Sequence, residues 1–197
     1  MRSVVLGALL ALGMSSPALA EKISLSAISS YLNDLRTAKG EFTQINADGT
    51  ISTGTIYIHR PGRIRFEYNP PEETLVMAGG SQVAVFDGRA VGNPDVYPLK
   101  RTPLNLILAR NIDLAANNLV VRHFEEGVST KVIAQDPDTP EFGTIELVFT
   151  GNPVELRQWV ITDEVGSETT LVLGALETGL RLPASLFSIV QETQNWD

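Results

Sequence analysis

From Glu41 onward, closely spaced turn residues divide the chain into short segments of alternating polarity, and this pattern constrains the fold more than any other feature. The segments are rich in β-branched and aromatic residues, as strands are. The links between them, built from Gly, Pro, Asp and Asn, are far shorter than the crossovers that parallel strands need. The pattern therefore predicts an antiparallel meander whose first strands lie near 41–46, 52–60, 64–69, 73–78 and 82–87.

The same alternation resumes in the second half of the chain, after two helical segments. Leu25, Ile28, Leu32 and Leu35 recur at helical spacing and predict a helix that ends before Gly40. Its polar side is expected to face water, and it consists of Ser29, Ser30, Asn33 and Arg36. Thr102 as a cap and Pro103 at the first helical position predict a second helical segment. Later strands are predicted near 118–126, 128–135, 142–150, 153–163 and 168–177, with a short closing strand at 186–190.

These elements predict a mainly β fold with about ten or eleven strands and few helices. An antiparallel sheet of that size must curl or split. With so few helices we expect it to curl, so that the helices cover its open side and a cavity lies inside.

The first twenty residues predict a secretory signal peptide. Arg2 is followed by an apolar stretch from 4 to 12, and Ala18-Leu19-Ala20 is a small-x-small cleavage site. The apolar stretch is much shorter than the ~20 residues that span a bilayer. We therefore expect residues 1–20 to be cleaved and residues 21–197 to form one exported domain. With no cysteine after the cleavage site, we expect no lipid anchor.

Composition narrows the function classes. With 15 Lys and Arg against 23 Asp and Glu, the formal net charge is −8, which disfavours binding to nucleic acid. The absence of cysteine removes thiolate catalysis and Cys-ligated metals, and His59 and His123 stand far apart without metal-type neighbours. No serine lies in a G-x-S-x-G motif. We therefore expect no enzyme activity, no metal ion and no cofactor.

The hairpin around Pro61 carries an arginine on its apolar face. A two-residue loop would mix charged and apolar residues across the strands. A three-residue loop over 61–63 instead pairs Arg60 with Ile64 and Ile58 with Phe66, and it keeps one face apolar. Arg60 then points inward at the rim. Two interpretations remain: the side chain reaches back to water at the sheet end, or it binds carbonyl or carboxylate groups on whatever covers the cavity.

The inward row and the second helical segment together predict an apolar chamber. A helix that covers a sheet needs an apolar stripe for packing alone, so this stripe does not by itself indicate a ligand. The predicted chamber residues are Ile56, Ile58, Ile64, Phe66, Leu104, Ile107 and Leu108.

At this point the sequence resembles the LolA family of periplasmic outer-membrane lipoprotein carriers. The most specific block is the F-x-Q segment followed by G-x-[IL]-x-[IV]-x-R-P, and the likeness spans nearly the whole chain after the signal peptide. The matching segments are 40–44, 54–68, 70–71, 74–80, 86–88, 102–104 with Leu108, and 185–187.

The resemblance implies an incomplete antiparallel β-barrel of about 11 strands, closed by a helical lid over an apolar cavity that holds lipoprotein acyl chains. It implies a monomeric carrier that accepts lipoproteins from an inner-membrane ABC transporter (LolCDE) and passes them to an outer-membrane receptor (LolB). It also implies that Arg60 hydrogen-bonds the lid and regulates its opening. Ile64 stands where the family often has an aromatic residue important for the transporter contact.

Two other functions compete with a carrier. A periplasmic sensor of lipids or lipoproteins would bind the same ligands, but we expect it to need a second domain. A secreted hydrolase would need a nucleophile and a base, which the sequence does not offer.

Overall fold

The computed structural model describes residues 21–90, 92–116 and 118–196. The predicted signal peptide, residues 1–20, lies outside the described residues. Within the described ranges, twelve strands belong to one sheet, and three α-helices and three short 3-10 turns accompany them. The strands are β1 (Thr37–Ile45), β2 (Ile51–His59), β3 (Ile64–Tyr68), β4 (Thr74–Gly79), β5 (Gln82–Asp87), β6 (Asp95–Pro98), β7 (Val120–Glu126), β8 (Ser129–Ala134), β9 (Thr144–Thr150), β10 (Glu155–Thr162), β11 (Glu168–Leu173) and β12 (Glu177–Thr178). The helices are α1 (Leu25–Asp34), α2 (Leu104–Leu108) and α3 (Ile189–Asn195), and the 3-10 turns are Leu99–Arg101, Pro140–Phe142 and Ala184–Phe187.

The sheet is antiparallel and unclosed, which confirms the predicted fold class. Its strand order is β6-β5-β4-β3-β2-β1-β11-β10-β9-β8-β7, and the short β12 pairs with the other end of β1. Neighbouring strands are successive hairpins except where β1 meets β11 and β12. Within the described residues, β6 and β7 each have one strand neighbour, so they form the two edges of the incomplete barrel.

The β2–β3 hairpin has a different register from the predicted one. Ile58 pairs with Ile64 and Ile56 pairs with Phe66. The amide of His59 donates to the carbonyl of Arg63 at 2.9 Å, which closes a three-residue loop over residues 60–62 instead of 61–63. The shift is two residues, so every side chain keeps its predicted face although each cross-strand partner changes.

The second helical segment begins differently from the prediction. Thr102 does not cap a helix; its hydroxyl donates to the carbonyl of Leu99 at 2.8 Å and ends a 3-10 turn. α2 then begins at Leu104, with Pro103 as its N-cap residue. The sheet also extends further than expected, because β6 precedes this turn and pairs with β5.

The predicted closing strand at 186–190 is wrong. The chain there forms a 3-10 turn and then α3, whose N-cap Ser188 accepts a hydrogen bond from the amide of Gln191 at 3.3 Å. Two residues of this C-terminal segment, Ile189 and Trp196, pack on a small apolar cluster on the outer face of the sheet. We call this cluster the outer core, and its buried members are Leu75, Met77, Ala84 and Phe86.

Candidate functional site

The inner side of the sheet holds one large apolar cluster, which we call the inner core. All seven residues predicted to line the chamber belong to it, and each is at most 8% exposed. Four come from the β2–β3 hairpin and three from α2, so the structure brings together parts of the chain about forty residues apart. In this structure their side chains pack against one another and against α1.

Two segments cover the inner core, and we call them together the cover: α1 and residues 104–114. α1 begins at the N-cap Ser24, whose hydroxyl accepts a hydrogen bond from the amide of Ala27 at 3.2 Å. Its apolar side, including Ile28 and Leu32, is buried in the inner core. Ile112 and Leu114 bury their side chains in the same cluster.

Part of the helix surface predicted to face water instead holds the cover together. The side-chain Nδ2 of Asn33 donates to the carbonyl of Ile112 at 2.7 Å, and its Oδ1 accepts from the backbone amide of Ile112 at 2.9 Å. The hydroxyl of Ser29 accepts a hydrogen bond from the amide of Leu114 at 3.0 Å. Ser30 is exposed, as predicted. The prediction failed for Ser29 and Asn33 because their partners lie far away in the sequence.

Arg60 lies where the β2–β3 turn meets both parts of the cover. Its side chain points inward and the residue is 4% exposed. One terminal nitrogen, Nη1, donates to the carbonyl of Leu32 in α1. The other, Nη2, donates to the carbonyl of Ala109, directly after α2, at 2.5 Å. These contacts match the second of the two sequence interpretations, in which Arg60 binds carbonyl groups on the cover.

The electrostatic surroundings of Arg60 are unusual for a buried charge. Among the described residues no carboxylate lies within 4.0 Å of it, and its Nε has no acceptor. Burial, followed by the nearby charge of Arg36, lowers the pKa of Arg60 to about 10. The side chain therefore stays charged at neutral pH. Its acceptors are carbonyls at the C-terminal ends of two helices, where the helix dipole is negative.

The backbone of the same turn also contacts the cover. The amide of Arg60 donates to the carbonyl of Arg36 at 2.8 Å, and the amide of Gly62 donates to the carbonyl of Leu108 at 2.9 Å. Gly62 has a φ of +70°, a conformation that favours glycine. The turn thus holds the ends of α1 and α2 by two backbone and two side-chain hydrogen bonds.

Ile64 lies at the start of β3 and is 1% exposed. It faces the inner core opposite Ile58. The residue is apolar but has no ring to offer a partner.

An aromatic row in the inner core was not singled out from the sequence. Phe66 makes edge contacts with the rings of Phe42 at 5.7 Å and Trp159 at 6.3 Å between centroids. Phe42 also contacts Tyr68 at 5.2 Å. A Cβ on Gly54 would lie 2.7 Å from the ring of Phe42, so glycine is needed there. The signal that points to this row is the alternation of β1 combined with glycine opposite an aromatic residue.

The described residues contain no group of three or more His, Asp and Glu side chains arranged to hold a metal ion. The two histidines lie apart: Nε2 of His123 is 2.9 Å from the carbonyl of Ile23, and the ring of His59 packs 5.6 Å from that of Phe187. Within the described ranges, no helix has the length and apolar character needed to cross a membrane.

Comparison with known proteins assigns this unclosed antiparallel barrel, with its helix-covered apolar interior, to a family. Residues 33–190 match the family described as "Outer membrane lipoprotein carrier protein LolA". The match covers most of the chain, so the protein belongs to the LolA family.

Curated relatives have the same description. The outer-membrane lipoprotein carrier protein of Methylococcus capsulatus is 26% identical over 203 residues, covering 94% of this chain and 91% of its own. That of Dechloromonas aromatica is 28% identical over 188 residues, covering 87% and 85%. Among solved structures, a LolA superfamily protein from Nitrosomonas europaea matches with a TM-score of 0.47 and 10% identity, covering 84% of this chain and 98% of that one.

Proposed function

We propose that this protein is a periplasmic carrier that moves lipoproteins from the inner to the outer membrane by sheltering their acyl chains in the inner core, beneath the cover. The observation that carries the proposal is the placement of Arg60, which holds both parts of the cover over a continuous apolar interior. Family membership and the names of the curated relatives support the carrier role. The proposed carrier role needs no chemical step.

Apolar burial supplies the binding energy for such a cargo. Each CH₂ group moved out of water contributes roughly 0.8 kcal/mol, so two or three acyl chains bind tightly even after the entropic cost of association. The side chains of the inner core pack against one another in this structure. Loading therefore requires the cover to move away from the sheet.

Arg60 is proposed to act as a clasp that favours the closed cover. A hydrogen bond to a charged group contributes roughly 1.5–3 kcal/mol when well made. Closure opposes loading, because apparent affinity falls with the fraction of protein in the open state. The same bias helps to expel the cargo at the acceptor.

The remaining parts of the proposal concern location and partners. We propose that residues 1–20 are removed on export and that residues 21–197 work as one periplasmic domain, as a monomer. Lipoproteins would arrive from a LolCDE-type transporter and leave to a LolB-type receptor where one exists. N-terminal sequencing of the protein from its own cells tests the first point, and retention of Met1 would contradict it.

The clasp is tested by measuring loading and onward transfer separately. Arg60→Leu removes the hydrogen bonds and adds apolar surface, so cargo should load at least as well as in the wild type while transfer slows. Arg60→Lys should be partly defective, because an ammonium cannot reproduce a planar fork with five donors. Arg157→Leu, at an exposed arginine paired with Glu155, is the matched control and should leave both steps unchanged. Weaker loading together with normal transfer in Arg60→Leu would contradict the clasp.

The chamber is tested by placing a charge inside it. Phe66→Asp should abolish binding of a fluorescent fatty-acyl probe, because a carboxylate among apolar groups opposes entry of an acyl chain. Thr55→Asp, on the neighbouring strand but facing outward, is the matched control and should bind normally. Circular dichroism shows whether each variant is folded. A folded Phe66→Asp protein with wild-type affinity would place the acyl chains elsewhere.

A further inference from the structure

The inward face of the sheet ends in a group of polar side chains, at the end of the strands away from the β2–β3 turn. On β2 the inward row passes from Ile58 to Ser52, and Gln44 of β1 lies directly opposite Ser52. On β3 the row ends at Tyr68, whose ring contacts that of Phe42 in the inner core. We call Gln44, Ser52 and Tyr68 the polar band.

A cavity of about 570 Å³ opens in front of the polar band. All three residues of the band line it, and so does Val76 of β4. Tyr68 and Val76 also pack against the inner core. The cavity therefore adjoins the apolar interior in which the acyl chains are proposed to lie.

The wall of the barrel at this level is polar on one side and apolar on the other. In the strand ladder Gln44 pairs with Leu171 of β11, and Leu171 pairs with Trp159 of β10. The side chains of Leu171 and Trp159 are both buried in the inner core. Contact with solvent does not by itself account for the polar side, because Ser52 is only 7% exposed.

A chain of hydrogen bonds orders the band and leaves two donors unused. Oη of Tyr68 donates to Oε1 of Gln44 at 2.7 Å, and Nε2 of Gln44 donates to Oδ1 of Asn46 at 2.6 Å. Nδ2 of Asn46 donates in turn to Oγ of Ser52 at 3.2 Å. Within the part of the chain that the structure describes, the hydroxyl proton of Ser52 and the second N–H of Gln44 have no acceptor.

The protonation of Tyr68 fixes the direction of this chain of bonds. Burial raises the pKa of Tyr68 to about 12, although the hydrogen bond with Gln44 acts to lower it. The phenol therefore keeps its proton at neutral pH and donates it to the amide oxygen of Gln44. What the band can offer to a ligand is then donors, and these suit carbonyl oxygens.

An acidic side chain beside the cavity disfavours an anionic ligand. Asp48 lines the cavity, and its Oδ1 accepts hydrogen bonds from the amide and the hydroxyl of Thr50 at 2.9 and 2.6 Å. These bonds lower the pKa of Asp48, so the side chain stays ionised. A phosphate or carboxylate in the cavity would be repelled by this charge, whereas a neutral carbonyl group would not.

We propose that the polar band binds the ester carbonyls at the polar end of a lipoprotein's lipid anchor, while the acyl chains extend along the inner core toward the β2–β3 turn. The strand from Ser52 to Ile58 is about 20 Å long at about 3.3 Å per residue, a length comparable to that of a long acyl chain. This inference rests on the proposed carrier function and adds an orientation to it. The polar end of the cargo lies at the band, and the chain ends lie beside Arg60.

The first test compares a triacylated lipopeptide, with an uncharged peptide, and its ether-linked analogue, which has the same chains but lacks the ester carbonyls. The band variant combines Gln44→Met with Ser52→Ala. The control variant combines Thr43→Val with Thr53→Ala, a pair of residues directly opposite each other on the outward face of the same two strands. Loss of two hydrogen bonds should weaken lipopeptide binding about tenfold in the band variant and less than about twofold in the control. The ether analogue should bind the band variant and the wild type almost equally.

The second test locates the two ends of the bound chains and needs no change in the band. Trp196→Phe leaves Trp159 as the only tryptophan, because the chain has two. Trp159 lies beside the band in the strand ladder. Bromine atoms on the acyl chains near the esters should therefore quench its fluorescence more than bromine atoms near the chain ends. The reverse order would overturn the orientation.

Phosphatidylglycerol with the same chains separates a lipoprotein anchor from a membrane lipid, because both contain acyl esters. We expect it to bind more weakly than the lipopeptide, since its phosphate would lie near Asp48. Tighter binding of phosphatidylglycerol would overturn the assignment to a lipoprotein anchor.

The failure of this inference can be told apart from the failure of the carrier proposal. If the wild type and the band variant bind the lipopeptide equally, or if the band variant loses the ester and ether ligands equally, the band is wrong and the carrier proposal stands. If neither ligand binds to the wild type, the proposed carrier function itself is wrong.

Discussion

Two buried arginines on the same hairpin hold the two faces of the sheet in different ways. Arg60 faces the inner core and donates to two neutral carbonyls of the cover. Arg65, five residues later, faces the outer side and pairs with Glu67 and Glu192, each at 2.7 Å. It also donates to the carbonyl of Leu186 at 3.2 Å.

Because their acceptors differ, we expect the hydrogen bonds of Arg60 to break more readily than the ion pairs of Arg65. Burial acts to lower the pKa of Arg65, but its hydrogen bonds and charges with Glu192 and Glu67 outweigh burial and raise the pKa. Arg60 has only burial and a like charge near it, and both lower its pKa. Charge-assisted bonds to carboxylates are the stronger kind. On the proposed function we therefore expect the outer core to stay closed and the cover of the inner core to be the part that opens.

The largest effect should come from exchanging each arginine for methionine. Arg65→Met leaves two carboxylates without their partner and should lower the free energy of unfolding by about 2–3 kcal/mol, less than a fully buried pair because Glu67 is partly exposed. Arg60→Met loses two hydrogen bonds but also removes the desolvation cost of a buried charge that has no carboxylate partner, so the net loss should be about 1 kcal/mol or less. Urea denaturation measures both losses of stability. A larger loss in Arg60→Met than in Arg65→Met would contradict the distinction between the two faces.

A smaller effect is expected from loosening the outer core alone. The ring of Trp196 lies 5.0 Å from that of Phe86, between centroids, and Trp196 packs on the outer core. Trp196→Ala should lower the free energy of unfolding by about 1–2 kcal/mol, because this residue is partly exposed. Affinity for a fatty-acyl probe should not change. A weaker affinity in the folded variant would show that the two faces are coupled.

The smallest effect should be a pH dependence at His59. Burial, and then the charge of Arg63, lowers the pKa of His59 below its ordinary 6.5. The unfolded chain therefore takes up a proton at a higher pH than the folded protein does. Stability should fall as the pH drops below about 6.5.

This contribution from His59 is isolated by comparing the pH dependence of unfolding in the wild type and in His59→Gln. The difference in stability between them should be constant above neutral pH and should change progressively on acidification. Because the ring packs against Phe187, the loss should appear first in hydrogen exchange of the C-terminal segment. A stability difference that does not change with pH would contradict this role of His59.

The sequence predicts which side of each strand faces inward better than it predicts which residues meet. Alternation places Arg60, Ile58 and Phe66 on one face in every hairpin register that differs from the predicted one by an even number of residues. The position of the loop along the chain depends on how the turn contacts α1 and α2, as in the bond from Gly62 to Leu108. Those partners lie too far along the chain for a local pattern to reveal them.

The contacts on the outer face could not be predicted from the sequence for the same reason. Arg65 and Glu192 are 127 residues apart, and alternation alone places Arg65 toward solvent. A local signal for α3 does exist, since Ser188 stands three residues before Gln191 and caps the helix. The apolar pattern at 186–190 suits a short strand as well as a helix. The helix forms because Ile189 and Trp196 pack on the outer core.

The central claim is that the cover of the inner core opens for acyl chains while the outer core stays closed, and hydrogen exchange tests it residue by residue. The amides of Gly62, Ile112 and Leu114 report on the cover, because they donate to Leu108, Asn33 and Ser29. The amide of Glu192, which donates to the carbonyl of Ser188 at 3.0 Å, reports on α3.

Exchange is followed with and without a bound triacylated lipopeptide. We predict that the three cover amides exchange faster in the loaded protein, while the amide of Glu192 keeps its protection. Unchanged protection of the cover amides in the loaded protein, or faster exchange at Glu192 alone, would contradict the account.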